Sequence, residues 1–306
     1  MNWKIKLVLL FAQLRKPLQG KDPKNIIAIR KKAERAAHLG TLFFDKKITI
    51  TQVENTLANQ VPVRIYKHAS HNRQRVIVFY HGGGFALYGL NSHDNVCRRL
   101  CLNTNAIVVS VDYRLAPEYV FPSAHQDAFE ALQWVINNIQ QYGGNPKDIV
   151  VAGDSAGGNL AACMAHRCLK DNIPIKAQIL IYPWIDGKLH NPSINRNGEG
   201  YMLEKETMHW FQQLYVPKEE ERCLPEISPC YEKNFEGLPP AFIITAQYDP
   251  LLDDGFNYYK QLSEAKVRTK YKEYQELFHG FFNLPCMHPN AMQCYNDITL
   301  FLAEIK

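Results

Sequence analysis

Cysteine is sparse in this chain, and its spacing suggests neither a metal site nor a disulfide scaffold. The 306 residues contain eight cysteines, none of them in a Cys-x-x-Cys pair. A reduced, cytoplasmic protein is therefore the simplest expectation. Cys97 and Cys101 stand four residues apart on a predicted helix, which is typical of core packing. Because no compact set of metal ligands occurs either, we predict no metal and no cofactor.

Long apolar runs and long basic runs are also missing. No segment reaches the ~20 apolar residues of a membrane span. No Lys/Arg-rich run carries the interleaved aromatic residues of a nucleic-acid groove, so we expect no nucleic-acid partner. The charge is nevertheless uneven. Residues 1–50 hold 12 basic and 3 acidic residues, while the whole chain has a formal net charge of +5. A basic N-terminal part of this kind suits an anionic surface.

The first residues imitate a secretory signal without completing one. Their apolar run is short, and no small-residue cleavage site follows it. In a helix, the large apolar residues here share one face, namely Trp3, Leu7, Leu10, Phe11 and Leu14. We predict that this helix packs onto its own protein. The alternative is a weak contact with a membrane surface.

From about residue 47 onward the pattern is that of an α/β protein. Continuous β-branched runs, typical of parallel strands buried on both faces, alternate with helical patterns. The predicted strands are 48–53, 61–66, 75–80, 106–111, 148–152, 178–182, 241–245 and 269–274. The predicted helices are 3–16, 23–39, 92–103, 123–141, 156–169, 204–215, 253–265 and 290–304. This alternation predicts a parallel sheet with right-handed crossovers. Residues 185–235 break it, and we predict an insertion over the C-terminal edge of the sheet.

The strongest chemical signal is a Gly-x-Ser-x-Gly motif, from Gly153 to Gly157, between a predicted strand and a predicted helix. In that context Ser155 lies on a tight strand-to-helix turn, and the flanking glycines let neighbouring backbone approach without a Cβ clash. The motif therefore predicts a nucleophilic serine.

A second signal is the run from His81 to Phe85, with three successive glycines directly after strand 75–80. Such glycines leave backbone N–H groups free to point at a developing oxyanion. The run does not fit a phosphate-binding loop, because Leu87 stands where Gly-x-Gly-x-x-Gly requires glycine.

A serine nucleophile needs a base, and that base needs an orienting acid. In the chain order Ser, Asp, His, both partners should follow later strands of the sheet. Asp249 follows strand 241–245 and His279 follows strand 269–274. The rival acids Asp253 and Asp254 are expected to supply charge to the first turn of the next helix. The rival base His288 is expected to begin the last helix.

Together these motifs resemble the hormone-sensitive-lipase-like family of α/β-hydrolase carboxylesterases. The matching pieces are His81-Gly-Gly-Gly-Phe85, Asp112-Tyr-Arg-Leu-Ala-Pro-Glu118, Gly153-Asp-Ser-Ala-Gly-Gly158, Asp249-Pro-Leu and His279-Gly-Phe, with a lid-like Glu199-Gly-Tyr-Met-Leu203. The likeness runs from about residue 45 to the C-terminus.

The resemblance implies an α/β-hydrolase fold, with an eight-stranded, mostly parallel sheet, helices on both faces and a helical cap. Residues 1–45 and 185–235 would form the cap, and residues 46–184 and 236–306 the core. The implied site residues are a triad of Ser155, Asp249 and His279 and an oxyanion hole made by the backbone N–H groups of Gly83, Gly84 and Ala156. We interpret Asp112, Arg114 and Glu118 as a buried charge and turn arrangement that supports the site.

The expected function is a serine carboxylesterase that hydrolyses short-to-medium acyl esters with water through an acyl-serine intermediate. An amidase or arylformamidase with the same triad, and a ligand-binding protein without turnover, are the alternatives. Seven residues of the glycine loop and the insertion are assigned to an apolar substrate pocket or to lid packing: Phe85, Leu87, Tyr88, Tyr201, Met202, Trp210 and Phe211. The last predicted strand has a free edge, and pairing of two chains through this edge would form a homodimer.

Overall fold

One eight-stranded sheet with flanking helices organises the protein. A computed structural model describes residues 5, 6, 9, 10, 25–45, 47–68 and 74–305. The strands are β1 (Gln52–Ala58), β2 (Val61–Lys67), β3 (Gln74–Tyr80), β4 (Ile107–Val111), β5 (Gly144–Asp154), β6 (Ala177–Ile181), β7 (Ala241–Tyr248) and β8 (Thr269–Phe278). The helices from residue 25 onward are α1 (Ile26–Phe44), α2 (Asp94–Thr104), α3 (Ser123–Asn138), α4 (Ala156–Lys170), α5 (Ser193–Arg196), α6 (Lys205–Tyr215), α7 (Leu252–Glu264) and α8 (Pro289–Ala303).

The carboxyl ends of β3, β5, β7 and β8 lie along one edge of the sheet, because these strands run parallel. Across the sheet the order is β1-β2-β4-β3-β5-β6-β7-β8. β1 is antiparallel to β2 and β2 to β4, whereas the remaining neighbours are parallel. This confirms the predicted eight-stranded, mostly parallel sheet of an α/β-hydrolase fold.

Alternating side chains of β3 show how the sheet is buried on both faces. Val76, Val78 and Tyr80 belong to one apolar cluster, which contains side chains of α3, α4 and α7. Ile77 and Phe79 belong to the cluster on the opposite face, with side chains of α2 and α8. Helices therefore cover both faces, as predicted, and this is why the central strands are continuous apolar runs.

Two strands begin four residues away from their predicted first residues, because hydrogen bonding, and not hydrophobicity, sets where they begin. Ile48 is buried, but its N–H donates to Asn95 Oδ1 over 3.1 Å, so the strand predicted at 48–53 begins at Gln52. β5 begins at Gly144, earlier than the predicted residue 148, where it pairs with Gln74 of β3.

The N-terminal residues that the structure describes pack partly inward. Ile5 and Leu9 are buried, whereas Leu10 is 55% exposed. Trp3, Leu7, Phe11 and Leu14 of the predicted apolar face lie outside the described residues. Among the described helices, none combines the length and apolar character needed to cross a bilayer. The division into core and cap segments stays a prediction.

Arg75 fastens the C-terminal helix to the sheet. Its Nε donates to Asp148 Oδ1 over 2.9 Å, its Nη2 to the Ile305 carbonyl over 2.7 Å, and its Nη1 to the Leu302 carbonyl. A hydrogen bond to a charged group contributes about 1.5–3 kcal/mol. We therefore expect Arg75→Met to lower the free energy of unfolding by about 2–4 kcal/mol, measured by urea denaturation.

Arg268→Met provides the matched control for this prediction. Arg268 pairs with Glu304 at an exposed position on the same helix end. Exposed ion pairs contribute about 0–1 kcal/mol, so Arg268→Met should lower the free energy of unfolding by less than about 1 kcal/mol. Equal losses in the two variants would show that the Arg75 contacts do not fasten the helix.

Candidate active site

Ser155 lies on a sharp turn that joins β5 to α4. Its φ of 57° and ψ of −120° place a non-glycine residue in a strained region of backbone space. A Cβ at Gly153 would collide with the Gly157 carbonyl, and a Cβ at Gly157 would collide with the Tyr80 carbonyl of β3. The two glycines therefore allow the turn, which lifts Ser155 above the carboxyl edge of the sheet.

A row of hydrogen bonds joins the three predicted polar residues. His279 Nε2 lies 2.9 Å from Ser155 Oγ, and His279 Nδ1 lies 2.8 Å from Asp249 Oδ2. A carboxylate can only accept, so Nδ1–H donates to Asp249, and Nε2 is left to accept the serine proton. The structure thus brings together the residues that the sequence pattern selected.

The segment between β6 and β7 helps to hold the acidic end of this row. Asp249 is fully buried directly after β7, and its Oδ1 accepts the Leu251 N–H over 2.8 Å. Asn197, from the segment between β6 and β7, donates to the Asp249 carbonyl over 3.0 Å. The Tyr182 ring lies 4.5 Å from the His279 ring, centre to centre. These contacts restrict both side chains to one arrangement.

The rival acids and the rival base do not join this row. Asp253 and Asp254 stand in the first turn of α7, as predicted, and the Asp253 carboxylate accepts the Ser193 N–H over 2.8 Å. His288 is the N-cap of α8, where its Nδ1 accepts the Asn290 N–H over 3.1 Å.

The glycine loop after β3 has a backbone conformation that glycine favours. Gly83 has φ +119° and Gly84 has φ +61°. The Gly83 carbonyl accepts the N–H groups of Ala86 and Leu87, which closes a tight turn. Ala156 is the first residue of α4, and an N–H at that position has no partner within its helix and lies at the positive end of the helix dipole. The N–H groups of Gly83, Gly84 and Ala156 stay the predicted oxyanion donors.

Asp154 and His93 support the glycine loop, a role that no sequence motif predicts for either residue. Asp154 Oδ1 accepts the Gly82 N–H over 2.8 Å and lies 3.2 Å from His93 Nε2. Burial opposes the charged carboxylate, but the His93 ring and the Gly82 N–H outweigh burial, so the pKa of Asp154 is lowered. Burial lowers the pKa of the neighbouring His81 to about 3, which keeps that ring neutral.

Arg30 ties α1 to the same loop, a second contact that no sequence motif predicts. Its Nε donates to the Ala86 carbonyl over 2.8 Å, and its Nη2 donates to the Ala116 carbonyl over 2.7 Å. The guanidinium also binds Glu118 through Nη1 and Nη2, at 2.8 and 2.6 Å. One side chain thus joins α1 to two loops at the site.

The predicted pocket residues divide into two groups. Phe85 and Leu87 are buried, and the Phe85 ring stacks on Tyr215 with centres 4.1 Å apart. Phe211 lies over the glycine loop, since a Cβ at Gly84 would collide with its ring. Tyr88 lies beside the His93 ring and Trp210 beside Phe211, so these two belong with the first apolar cluster, as Phe85, Leu87 and Phe211 do. Tyr201, stacked on Tyr248, and the half-buried Met202 pack against the cluster of the opposite sheet face, so the structure does not group them with the other five.

Several proteins of known identity are similar to this chain in sequence or in structure. Carboxylesterase NlhH of Mycobacterium tuberculosis is 40% identical over 238 residues, which cover 76% of this chain and 75% of that protein. Arylacetamide deacetylase of Oryctolagus cuniculus is 31% identical, over 77% of this chain and 75% of that protein. A solved esterase structure from Pyrobaculum calidifontis superimposes with a TM-score of 0.89 at 33% identity, over 97% and 96% of the two chains.

A family model described as the alpha/beta hydrolase fold matches residues 77–283, more than half of the chain. The chain belongs to the hormone-sensitive-lipase-like α/β-hydrolases. The resemblance that its motifs carry is thereby confirmed. Within the part of this α/β-hydrolase that the structure describes, no three His, Cys, Asp or Glu side chains are grouped as metal ligands.

The interpretation of the Asp112–Glu118 segment of this α/β-hydrolase as buried charge was partly wrong. Asp112 is half-buried, but Arg114 and Glu118 are exposed. Arg114 pairs with Asp127 over 2.7 Å, and Glu118 pairs with Arg30. Long side chains can reach such partners without burying their charge, so the segment braces the loops from the surface.

Asp254 gives this α/β-hydrolase a distinct pH dependence of stability. It is fully buried, its Oδ2 accepts the N–H groups of Ile185 and Asp186, and its Oδ1 accepts Asn191 Nδ2. Burial, together with the Asp186 carboxylate, raises the pKa of Asp254 to about 7. The folded protein therefore binds this proton more tightly than the unfolded chain. Its contribution to stability is complete below about pH 4 and is lost as the pH rises to about 7.

We expect Asp254→Asn to remove this pH dependence. Asparagine can still accept the two N–H groups but does not titrate. The wild type should lose up to about 1.4 kcal/mol of unfolding free energy per pH unit over this interval, and the variant should lose less, as measured by urea denaturation at several pH values. Asp253→Asn, next along the helix, should keep the wild-type slope. An unchanged slope in Asp254→Asn would contradict the assignment.

Proposed function

We propose that this α/β-hydrolase is a serine carboxylesterase that acts on esters of short-to-medium acyl chains, with Ser155, His279 and Asp249 as its catalytic triad. The observation that carries the proposal is the hydrogen-bonded row of these three side chains at the carboxyl edge of the sheet. The similarity to carboxylesterases supports the same reaction class, and the chain is a carboxylic ester hydrolase.

The proposed reaction transfers the acyl group first to serine and then to water. Ser155 Oγ attacks the ester carbonyl carbon while His279 Nε2 takes the hydroxyl proton. The tetrahedral intermediate collapses, and His279 returns the proton to the departing alcohol. Water then attacks the acyl-serine with His279 again as base, which releases the acid and restores the serine. Asp249 orients His279 and stabilises its imidazolium form.

The oxyanion of the tetrahedral intermediate would be held by backbone N–H groups. We assign this role to Gly83 and Gly84 of the glycine loop and to Ala156 at the start of α4. Each such donor typically stabilises the transition state by about 3 kcal/mol. Asp154 and Arg30 do not contact substrate in this scheme, since they hold the loop through Gly82 and Ala86.

Phe211 limits the space above the oxyanion donors. Its ring lies against Gly84, and it comes from α6 of the insertion. A bulky ring at this point leaves less room for a long acyl chain, which is why we favour short-to-medium acyl esters.

An amide-cleaving activity is the second candidate, favoured by the similarity to an arylacetamide deacetylase. The same triad serves both reactions, and only the leaving group differs. Hydrolysis of 4-nitroacetanilide at a rate comparable with p-nitrophenyl acetate would favour this candidate.

A homodimer through the β8 edge and a cytoplasmic location also stay predictions.

Removing the nucleophile tests the proposed mechanism. We expect Ser155→Ala to lower kcat for p-nitrophenyl butyrate by about 10⁶-fold, as in serine hydrolases generally. Steady-state hydrolysis of the acetate, butyrate, octanoate and palmitate esters by the wild type and the variant measures this. More than a few per cent of residual activity in a folded Ser155→Ala variant would contradict the assignment of Ser155.

Truncating Phe211 tests the limit on chain length. We expect Phe211→Ala to raise the octanoate-to-butyrate ratio of kcat/KM, because each methylene newly buried contributes about 0.8 kcal/mol, or about fourfold. Phe235→Ala is the control, since Phe235 is a buried ring of the same insertion that packs on His166 and Tyr258 instead. An equal change of the ratio in both variants would show that Phe211 does not border the acyl chain.

A further inference from the structure

Among the side chains of α1 that the structure describes, those on the outward face are basic, apolar or neutral. Its exposed residues are Ile27, Ala28, Lys31, Lys32, Arg35, His38 and Leu39. Lys31, Lys32 and Arg35 form no ion pair within the part of the chain that the structure describes. These charges are therefore not neutralised by the protein's own described surface.

The only acidic residue of α1 is turned inward. Glu34 is half-buried beside His93 and Ser92, and burial raises its pKa. On the same inner side, Arg30 binds the Ala86 and Ala116 carbonyls. The rotation of α1 about its axis is fixed by these contacts, so Lys31 and Arg35 project away from the protein.

Large apolar side chains stand at both ends of the basic group. Ile27 is 62% exposed and Leu39 is 51% exposed. They are twelve residues apart, which is about 18 Å along a helix. Nearby in sequence, Lys6 and Leu10 are also exposed. A surface that combines free cations with exposed apolar residues matches the boundary between lipid headgroups and acyl chains.

We propose that the outward face of α1 docks on an anionic lipid membrane. Charge complementarity favours this partner, because each Lys or Arg near an anionic leaflet strengthens binding by about fivefold. Ile27 and Leu39 favour lipid over nucleic acid, which offers no apolar phase to receive them. The Arg30 contacts then connect the docked helix directly to the glycine loop, so the membrane lies on the cap side of the site.

Co-sedimentation with lipid vesicles tests this proposal. The wild type is mixed with phosphatidylcholine vesicles, with and without phosphatidylserine, at low and high NaCl. Lys31→Glu/Arg35→Glu reverses two charges of the face. Lys147→Glu/Lys233→Glu, at exposed positions elsewhere, changes the net charge equally. We expect salt-sensitive binding that requires phosphatidylserine, weakened at least tenfold in the first variant and less than twofold in the control.

Ile27→Asp/Leu39→Asp examines the apolar part of the face and should also weaken binding. Hydrolysis of soluble p-nitrophenyl butyrate should be unchanged in all these variants, which shows that they fold. If the wild type does not hydrolyse this ester, that result counts against the esterase proposal alone, since vesicle binding is measured independently.

Three outcomes would overturn the proposal. The wild type does not bind phosphatidylserine vesicles, or it binds neutral vesicles equally well, or the two charge-reversed variants bind alike. Binding to heparin or polyglutamate without binding to vesicles would assign the face to an acidic macromolecule instead of lipid.

Discussion

The backbone of the turn after β5 passes so close to the end of β3 that no side chain fits between them. The Tyr80 carbonyl occupies the space that a Cβ at Gly157 would need, and Tyr80 is paired with Gly153 in the sheet register. Because β3 and β5 are neighbours, the glycine loop and Ser155 leave the sheet side by side. The contact between the end of β3 and the turn after β5 therefore places the proposed nucleophile beside the glycine loop. The other segments around the site stabilise this arrangement.

The segments around the site are joined to it by specific polar contacts as well as by apolar packing. Asn159 of the nucleophile helix donates to the carbonyls of Trp184 and Ile227, at 2.7 and 2.6 Å, and accepts from the His125 side chain. Burial lowers the pKa of His125 to about 4, so this ring is neutral and its hydrogen bonds to Asn159 and Tyr215 carry no net charge. The segment between β6 and β7 is thus attached to the helix whose first residue follows Ser155, and movement of one strains the other.

The features of this arrangement that depend on local sequence pattern could be predicted from the sequence. Runs of β-branched residues identified the central strands, since they are buried on both faces, and the ends of those strands located Ser155, Asp249 and His279. The start of β1 and of β5 did not follow, because a side-chain acceptor at Asn95 and a pairing with Gln74 decide them. Arg30 and His93 were also missed. Their partners stand far along the chain, and a single basic residue in a basic helix gives no signal of the carbonyls that it reaches.

The clamp made by Arg30 has a consequence for exchanging parts between related hydrolases. Its helix belongs to the N-terminal segment, whereas Glu118 and the Ala86 and Ala116 carbonyls belong to loops of the core. A chimera with its crossover near residue 45 would separate the Arg30 guanidinium from the Glu118 carboxylate that it binds, although the sequence pattern changes from helix to strand near that point. An exchange that preserves these contacts must therefore transfer α1 together with the loops that carry Ala86, Ala116 and Glu118.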